Sequence, residues 1–314
     1  ESIEETLKAG DDFGRNKKLA GKKVMVEYTD PNPFKEFHIG HLMSNAVGES
    51  IARLYEASGS KVVRACWQGD IGLHVAKAIW GKLKKPDASW GNAYVFGSQN
   101  YDNNKTEIDE LNKKIFDKSE ATINKIYDEG RRWSLDHFEE IYKKLGTKFD
   151  HYFFEGKEGR DGEKIVAEFL KKGVFEKSEG AVVFRGEKFG LHTRVFITSQ
   201  GLPTYEAKEV GLNKAKFEVE PNLSQSIIIT ANEQDGYFKV VLCALQEIRK
   251  DIAERTKHLS HGMLKLSTGK MSSRKGNVIT GESLISDVEN LIKEKISNRE
   301  LGEGERLEIA EQVA

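Results

Sequence analysis

Between Lys22 and Ser58 the sequence changes its period once, and that change restricts the folds open to the chain. Lys22 to Tyr28, KKVMVEY, is a short β-rich run, whereas Leu42 to Ser58 places Met43, Val47, Ile51, Leu54 and Tyr55 at helical spacing. A strand feeding a helix that packs on its sheet is the repeating unit of an α/β fold. The link between them is DPNPFKEFHIGH, Asp30 to His41, whose two prolines keep it extended. It ends at a helix N-terminus, where unpaired N–H groups and the positive dipole end favour a phosphate. Imidazoles there, His38 and His41, can donate hydrogen bonds to a phosphate whose charge grows during reaction, and Gly40 would let an adenine lie flat on the backbone.

The pattern repeats downstream. Gly59 stops the first helix, and Lys61 to Trp67 is a second strand ending in QGDIG, where Asp70 either shapes the floor of a pocket or a ribose site, or caps the helix from Gly72 to Trp80. SIIITA, Ser226 to Ala231, is a fully apolar strand of the kind buried in parallel sheets, and it runs into NEQDGYF. Tyr237 to Lys250 reads as a covering helix. Between the halves the character changes to polar loops (KKPDASWGN, GSQNYDNN) and charged helices at Thr106 to Glu129 and Leu135 to Leu145, with Ser134 as an N-cap. A strand at Phe149 to Phe154, a helix at Glu163 to Lys172 and a hairpin at Val174 to Phe184 complete an α+β insert. The chain thus divides into a connecting segment (1–20), a first core half (21–81), an insert (82–190), a second core half opening with the strand VFITS (191–266), and a basic loop with an amphipathic helix (267–314).

Composition narrows the function by exclusion. With 49 Lys and Arg against 50 Asp and Glu, no global basic field announces a nucleic acid, so any such partner must meet local patches. Cys66 and Cys243 stand alone without CxxC spacing, which argues against structural zinc and fits a reducing compartment. No apolar run approaches the roughly 18 residues of a membrane span, and no signal peptide precedes Glu1, so a cytoplasmic protein is expected. The missing initiator Met and the helical ending at Ala314 suggest a fragment.

Two motifs carry a resemblance. HIGH at a strand-to-helix junction, followed far downstream by the basic loop KMSSRKGN (Lys270 to Asn277), resembles the paired signature of class I aminoacyl-tRNA synthetases. The longer segment VEYTDPNPFKEFHIGH, then QGDIG, GTKFDHYF, GLPTYEAKE and MSSRKGN, is similar in order to the arginyl-tRNA synthetases. The resemblance implies a Rossmann-like parallel sheet with a connective α+β insert and a C-terminal helix that contacts the tRNA stem. It implies ATP-dependent activation of arginine and its transfer to tRNA, magnesium arriving with ATP, no structural metal, no membrane, and a monomer.

The same resemblance assigns roles. His38, His41, Lys35, Lys270, Arg274 and Lys275 would act on the phosphates; His38, Gly40, His41, His261, Met263, Lys270 and Met271 would hold ATP. Glu27, Tyr205 and Glu209 would read a guanidinium, with Asn32 and Gln234 on the α-amino and carboxylate end. The chemistry agrees, because carboxylates at fixed angles match a planar guanidinium. Two departures stand out. Ser273 replaces the usual second lysine of the loop, with Lys35 just upstream of HIGH as a substitute, and Glu209 stands where Asp is more usual. A class I ligase for another amino acid, and a catalytically silent paralogue binding tRNA or an adenylate, are the competing readings.

Overall fold

Val24 to Glu27 are all buried, so this short run has no exposed face and must be a central strand. The computed structural model describes residues 2–264 and 279–314. In chain order its elements are α1 (Ser2–Ala9), β1 (Lys23–Glu27), α2 (Ile39–Ala57), β2 (Lys61–Gln68), α3 (Leu73–Lys84), α4 (Trp90–Gln99), α5 (Lys105–Asp117) and α6 (Ala121–Lys144). Then follow β3 (His151–Phe154), α7 (Glu155–Lys171), β4 (Glu176–Ser178), β5 (Ala181–Phe184), β6 (Arg194–Ile197) and α8 (Tyr205–Val219). The last are β7 (Gln225–Ala231), α9 (Asp235–Ile248), α10 (Lys250–Ala253), β8 (Thr256–His261), α11 (Gly281–Lys295) and α12 (Glu303–Val313).

The chain divides into two compact units: residues 1–30, 44–69 and 147–263, and residues 31–43, 70–146 and 264–314. In the first, five strands pair in the order β3-β2-β1-β7-β8, every pair parallel. Glu27, at the end of β1, lies beside Ala65 of β2 and Ile228 of β7. Successive strands run outward from β1 to β3, and the chain then returns to the other side of β1. That reversal is a topological switch point, and in such sheets ligands bind beyond the carboxyl ends of the strands on either side of it. A core of Met25, Val63, Ala65, Phe153, Leu212 and Leu245 packs within this unit. A second core (Val166, Phe175, Phe196, Ala207, Val210, Val240) lies with α7, α8, α9 and the three-stranded antiparallel sheet β4-β5-β6. The other unit is helical, with Phe34, Val75, Ile79, Trp80, Trp90 and Ile108 in its core.

The parallel sheet is as expected; several elements are not. The strand expected in the insert, at Phe149 to Phe154, joins the main sheet as β3, because Ala65 to Gln68 of β2 offer it a parallel edge. The strand expected to reopen the core, VFITS, instead pairs antiparallel with β5 as β6. The polar stretches after Lys82 enclose a helix, α4, whose N-cap Ser89 accepts from the Asn92 amide. The two charged helices break at Lys118, which adopts φ +52, so α6 runs unbroken through Ser134. Ser134 is thus no cap: its buried hydroxyl donates to the Gly130 carbonyl and accepts from the Phe34 amide at 2.8 Å.

Helix α2 also turns differently from its apolar period. Its buried side carries Ser44, Asn45, Gly48, Glu49 and Ala52, while Leu54 is 66% exposed. The reason lies in hydrogen bonds and contact distance. Ser44 and Asn45 hold Thr29, Glu49 accepts from the Tyr28 hydroxyl and from Arg64, and a Cβ at Gly48 would meet the Tyr28 ring at 2.1 Å. Burial alone would raise the Glu49 pKa, but bonds from Arg64, Tyr28 and Arg53 outweigh it and hold the carboxyl at about 2.

Candidate active site

In the unit that holds the sheet, the chain leaves β1 through a turn in which Thr29 and Asp30 take φ of +78 and +47. Left-handed backbone is uncommon for any residue but glycine and costs most for a β-branched one. The turn is held from several sides: Ser44 Oγ accepts from the Thr29 amide, Asn45 donates to Thr29 Oγ1, and Asp30 Oδ1 accepts from the Trp67 amide at 2.8 Å. The strained turn is thus held by side chains of α2 and by its own bond to β2, beside the switch point.

Three acids gather there. Glu27, Asp30 and Glu209 act on one another, and Lys216 of α8 acts on Asp30 and Glu209 as the neighbouring cation. Lys216 Nζ lies 2.7 Å from Glu27 Oε2, with both side chains essentially sealed from solvent. The pair is a close charge contact rather than a well-directed hydrogen bond. Glu209 is folded back along its own helix, where Oε1 accepts from Asn213 Nδ2 at 3.0 Å. Its longer arm is therefore drawn in. Burial, opposed by Lys216 and reinforced by Glu27, pushes its carboxyl up to about 8. Burial and the charge of Glu27 likewise push Asp30 well above the ordinary carboxylate range.

Tyr205 opens α8, with its ring half exposed and its carbonyl accepting from the Tyr237 hydroxyl at 3.0 Å. Desolvation, then the charge of Glu209, push that Tyr237 hydroxyl well above its usual value. Gln234 is half-buried at the start of α9, just past the end of β7. His261 ends β8 with Nδ1 at 2.8 Å from the Gly262 carbonyl, and Met263 follows, half-buried. Helix α8 is set against α7 almost backbone to backbone, since a Cβ at Gly162 would meet the Ala207 carbonyl at 1.9 Å and one at Gly211 the Glu158 carbonyl at 2.1 Å. A buried pair, Lys208 Nζ to Glu155 Oε2 at 2.7 Å, locks the crossing.

The other unit holds the histidine turn. Phe37 is fully buried against His41, Phe138 and Tyr142. His38 Nδ1 accepts from the Gly40 amide and His41 Nδ1 from the His38 amide, so each neutral ring carries its proton on Nε2. The rings stack. Burial comes first, then the charges of Lys35 on His38 and of His38 and Lys35 on His41, in keeping both imidazoles below their usual pKa. Gly40 has a local reason to be glycine, as a Cβ there would stand 2.9 Å from the His38 ring. Lys35 lies 5.0 Å from the centre of the Tyr94 ring, and the half-buried Asn32 accepts through its carbonyl from the Lys35 amide. Asp70 accepts from Arg131 at 2.8 Å and from Tyr127 at 3.0 Å, and α3 begins at Gly72 without a side-chain cap. Lys270, Met271, Arg274 and Lys275 lie outside the described residues.

Sequence reasoning missed Lys216, Asn213, Asp30 and Tyr237. For two of them a signal existed: Glu209, Asn213 and Lys216 fall at i, i+4 and i+7, a polar stripe on one helical face, and all three are buried.

The family model described as "tRNA synthetases class I (R), catalytic domain" matches residues 2–314. The chain belongs to that family. It is similar to the arginine–tRNA ligases of Treponema denticola, at 29% identity over 99% of this chain and 56% of that protein, and of Borreliella afzelii, at 31% over 96% and 56%. It therefore spans about half the length of the curated relatives it matches. Its fold resembles that of the Thermus thermophilus arginyl-tRNA synthetase, with a TM-score of 0.74 at 19% identity over 95% of this chain and 57% of that one. The Plasmodium falciparum arginyl-tRNA synthetase gives 0.69 at 18%, over 96% and 52%. Among the described residues, no helix is long and apolar enough to cross a membrane.

Proposed function

We propose that this chain activates L-arginine with ATP to form arginyl-adenylate and pyrophosphate, and passes the arginine to the 3′ end of its tRNA. The observation that carries the reading is the acid excess at the end of β1, where Glu27, Asp30 and Glu209 share one lysine. A buried site with more acids than bases favours a further cation. Glu209, Tyr205 and the rest of the Glu27 carboxylate take the guanidinium, and Asn32 and Gln234 the α-amino and carboxylate end.

The arginine carboxylate attacks the α-phosphorus, pyrophosphate leaves, and negative charge grows on the phosphate oxygens. Positioning and electrostatic stabilisation supply most of the rate in such a step. His38 and His41 donate through Nε2–H, and Lys35, Lys270, Arg274 and Lys275 offset the charge of the pyrophosphate. Gly40, His261, Met263 and Met271 complete the nucleotide site, and magnesium arrives bound to ATP. The protein works in the cytoplasm as a monomer.

The test is ATP–pyrophosphate exchange with each standard amino acid, with and without bulk tRNA. Exchange with arginine alone is expected, and Glu209→Gln should raise its KM by about 100-fold or more while the KM for ATP stays within a few-fold. Exchange with a different amino acid would overturn the arginine assignment. Absence of both exchange and arginine binding would overturn the enzyme reading.

A further inference from the structure

Three acids around one lysine raise the question of which acid the lysine serves. Lys216 reaches the cluster from α8, two turns beyond Glu209, and its ammonium ends 2.7 Å from Glu27 Oε2. Glu209 is anchored separately, by Asn213 one turn along. Asn213 is itself held, as its Nδ2 also donates to the Glu209 carbonyl and its Oδ1 accepts from Thr256. The stripe thus sorts the acids, one carboxylate to the ammonium and one to an amide. A sealed ammonium at ion-pair distance fixes its partner by charge, whereas an amide only orients the carboxyl it bonds.

Resting on the function proposed above, we infer that Lys216 is a positioning residue of the arginine pocket: its buried ammonium is taken up by Glu27 and holds that carboxylate in place, so that Glu209 is the carboxylate left to answer an incoming cation. The groups acting on Glu209 are Lys216 and Asn213 of its own helix, Glu27 of β1 and Glu155 of α7. Asp30 and Tyr237 feel its charge in turn. Among these charges Lys216 lowers the Glu209 pKa, and Glu27 and Glu155 raise it. A guanidinium arriving at Glu209 therefore displaces a proton, and arginine binds more tightly as pH rises through the range in which that proton is lost.

Arginine-dependent ATP–pyrophosphate exchange by the full chain, with tRNA present and from pH 6.5 to 9.5, tests this. In the unsubstituted protein the KM for arginine should fall as pH rises through about 8. Lys216→Met should raise that KM about tenfold at neutral pH, more than it changes kcat, and move the fall upward by about one pH unit. Lys216→Arg should restore most of both. Glu27→Gln should move the fall the other way, because the freed ammonium then serves Glu209, and this variant decides the matter should Lys216→Met fail to fold. The double variant should return the midpoint to its original place. An unmoved midpoint in Lys216→Met, or in Glu27→Gln where the former is insoluble, overturns the inference while leaving the proposed function intact. If the unsubstituted protein neither exchanges with arginine nor binds it in a calorimeter, both fall together.

Discussion

His41 lies face to face with His38, ring centroids 3.7 Å apart and planes 11° from parallel. With each Nδ1 occupied by a backbone amide, the stack presents two Nε2–H donors and no net charge. Oriented donors in a fixed frame stabilise a phosphate transition state without reorganising. Replacing His41 by Ala should therefore lower kcat for pyrophosphate exchange by about 100- to 1,000-fold, with the KM for arginine within about threefold. Steady-state exchange at saturating arginine reads the first figure and an arginine titration the second.

The same stack makes stability depend on pH in a stated direction. Both histidines have folded-state pKa values below the unfolded 6.5, so below about pH 6.5 the unfolded chain takes up protons that the folded one refuses. Their contribution is intact above that value and is lost as pH falls through it. Urea unfolding between pH 7.5 and 5.5 should show this loss, and His41→Gln should flatten the slope. An unchanged slope would mean that the rings are protonated in the fold.

Gly162 and Gly211 set the distance between α7 and α8, and α8 carries Glu209 and Lys216. Gly211→Ala places a methyl against the Glu158 carbonyl, costing about 1–3 kcal/mol by overpacking. The helix must shift to relieve the contact, so the KM for arginine should rise several-fold while that for ATP holds. Thermal unfolding and separate titrations of the two substrates check both parts.

Asp70 ties the segment after β2 to α6 through Arg131 and Tyr127, and its own side chain is 4% exposed. Asp70→Asn keeps the shape and removes the charge, so the charge-assisted bond to the partly exposed Arg131 weakens by about 1–2 kcal/mol. Double-mutant cycles with Arg131→Gln should return most of the loss as coupling.

How much of this was legible follows from what each residue packs against. The parallel sheet could be read because IIIT of β7 and VMV of β1 run without the polar alternation of a strand exposed on one face, and only a strand covered on both faces needs that. The helix face of α2 could not, since Ser44, Asn45 and Glu49 are buried for their hydrogen bonds, which a hydrophobic period does not register. His151–Phe154 read as a strand but gave no sign of its partner, because pairing to β2 joins residues 86 apart. Of the acids, Glu27 and Glu209 were visible singly, and Asp30 was not. Their lysine was not, because a lysine in a helix ordinarily lies in water, and only the Glu209–Asn213–Lys216 spacing marked it as turned inward.

One small feature reaches into how the molecule is made. His38 forms a backbone bridge with Thr280, the Gly281 amide donating to the Phe37 carbonyl at 2.7 Å and the Ile39 amide to the Ile279 carbonyl at 3.2 Å. The turn between β1 and α2 is thus finished by residues that leave the ribosome long after it. Contacts so distant in sequence close late, after the loop-closure entropy of everything between has been met. A chain that ends before Thr280 lacks the two bonds that pin its histidines. Synthesis past Thr280 is what completes the turn.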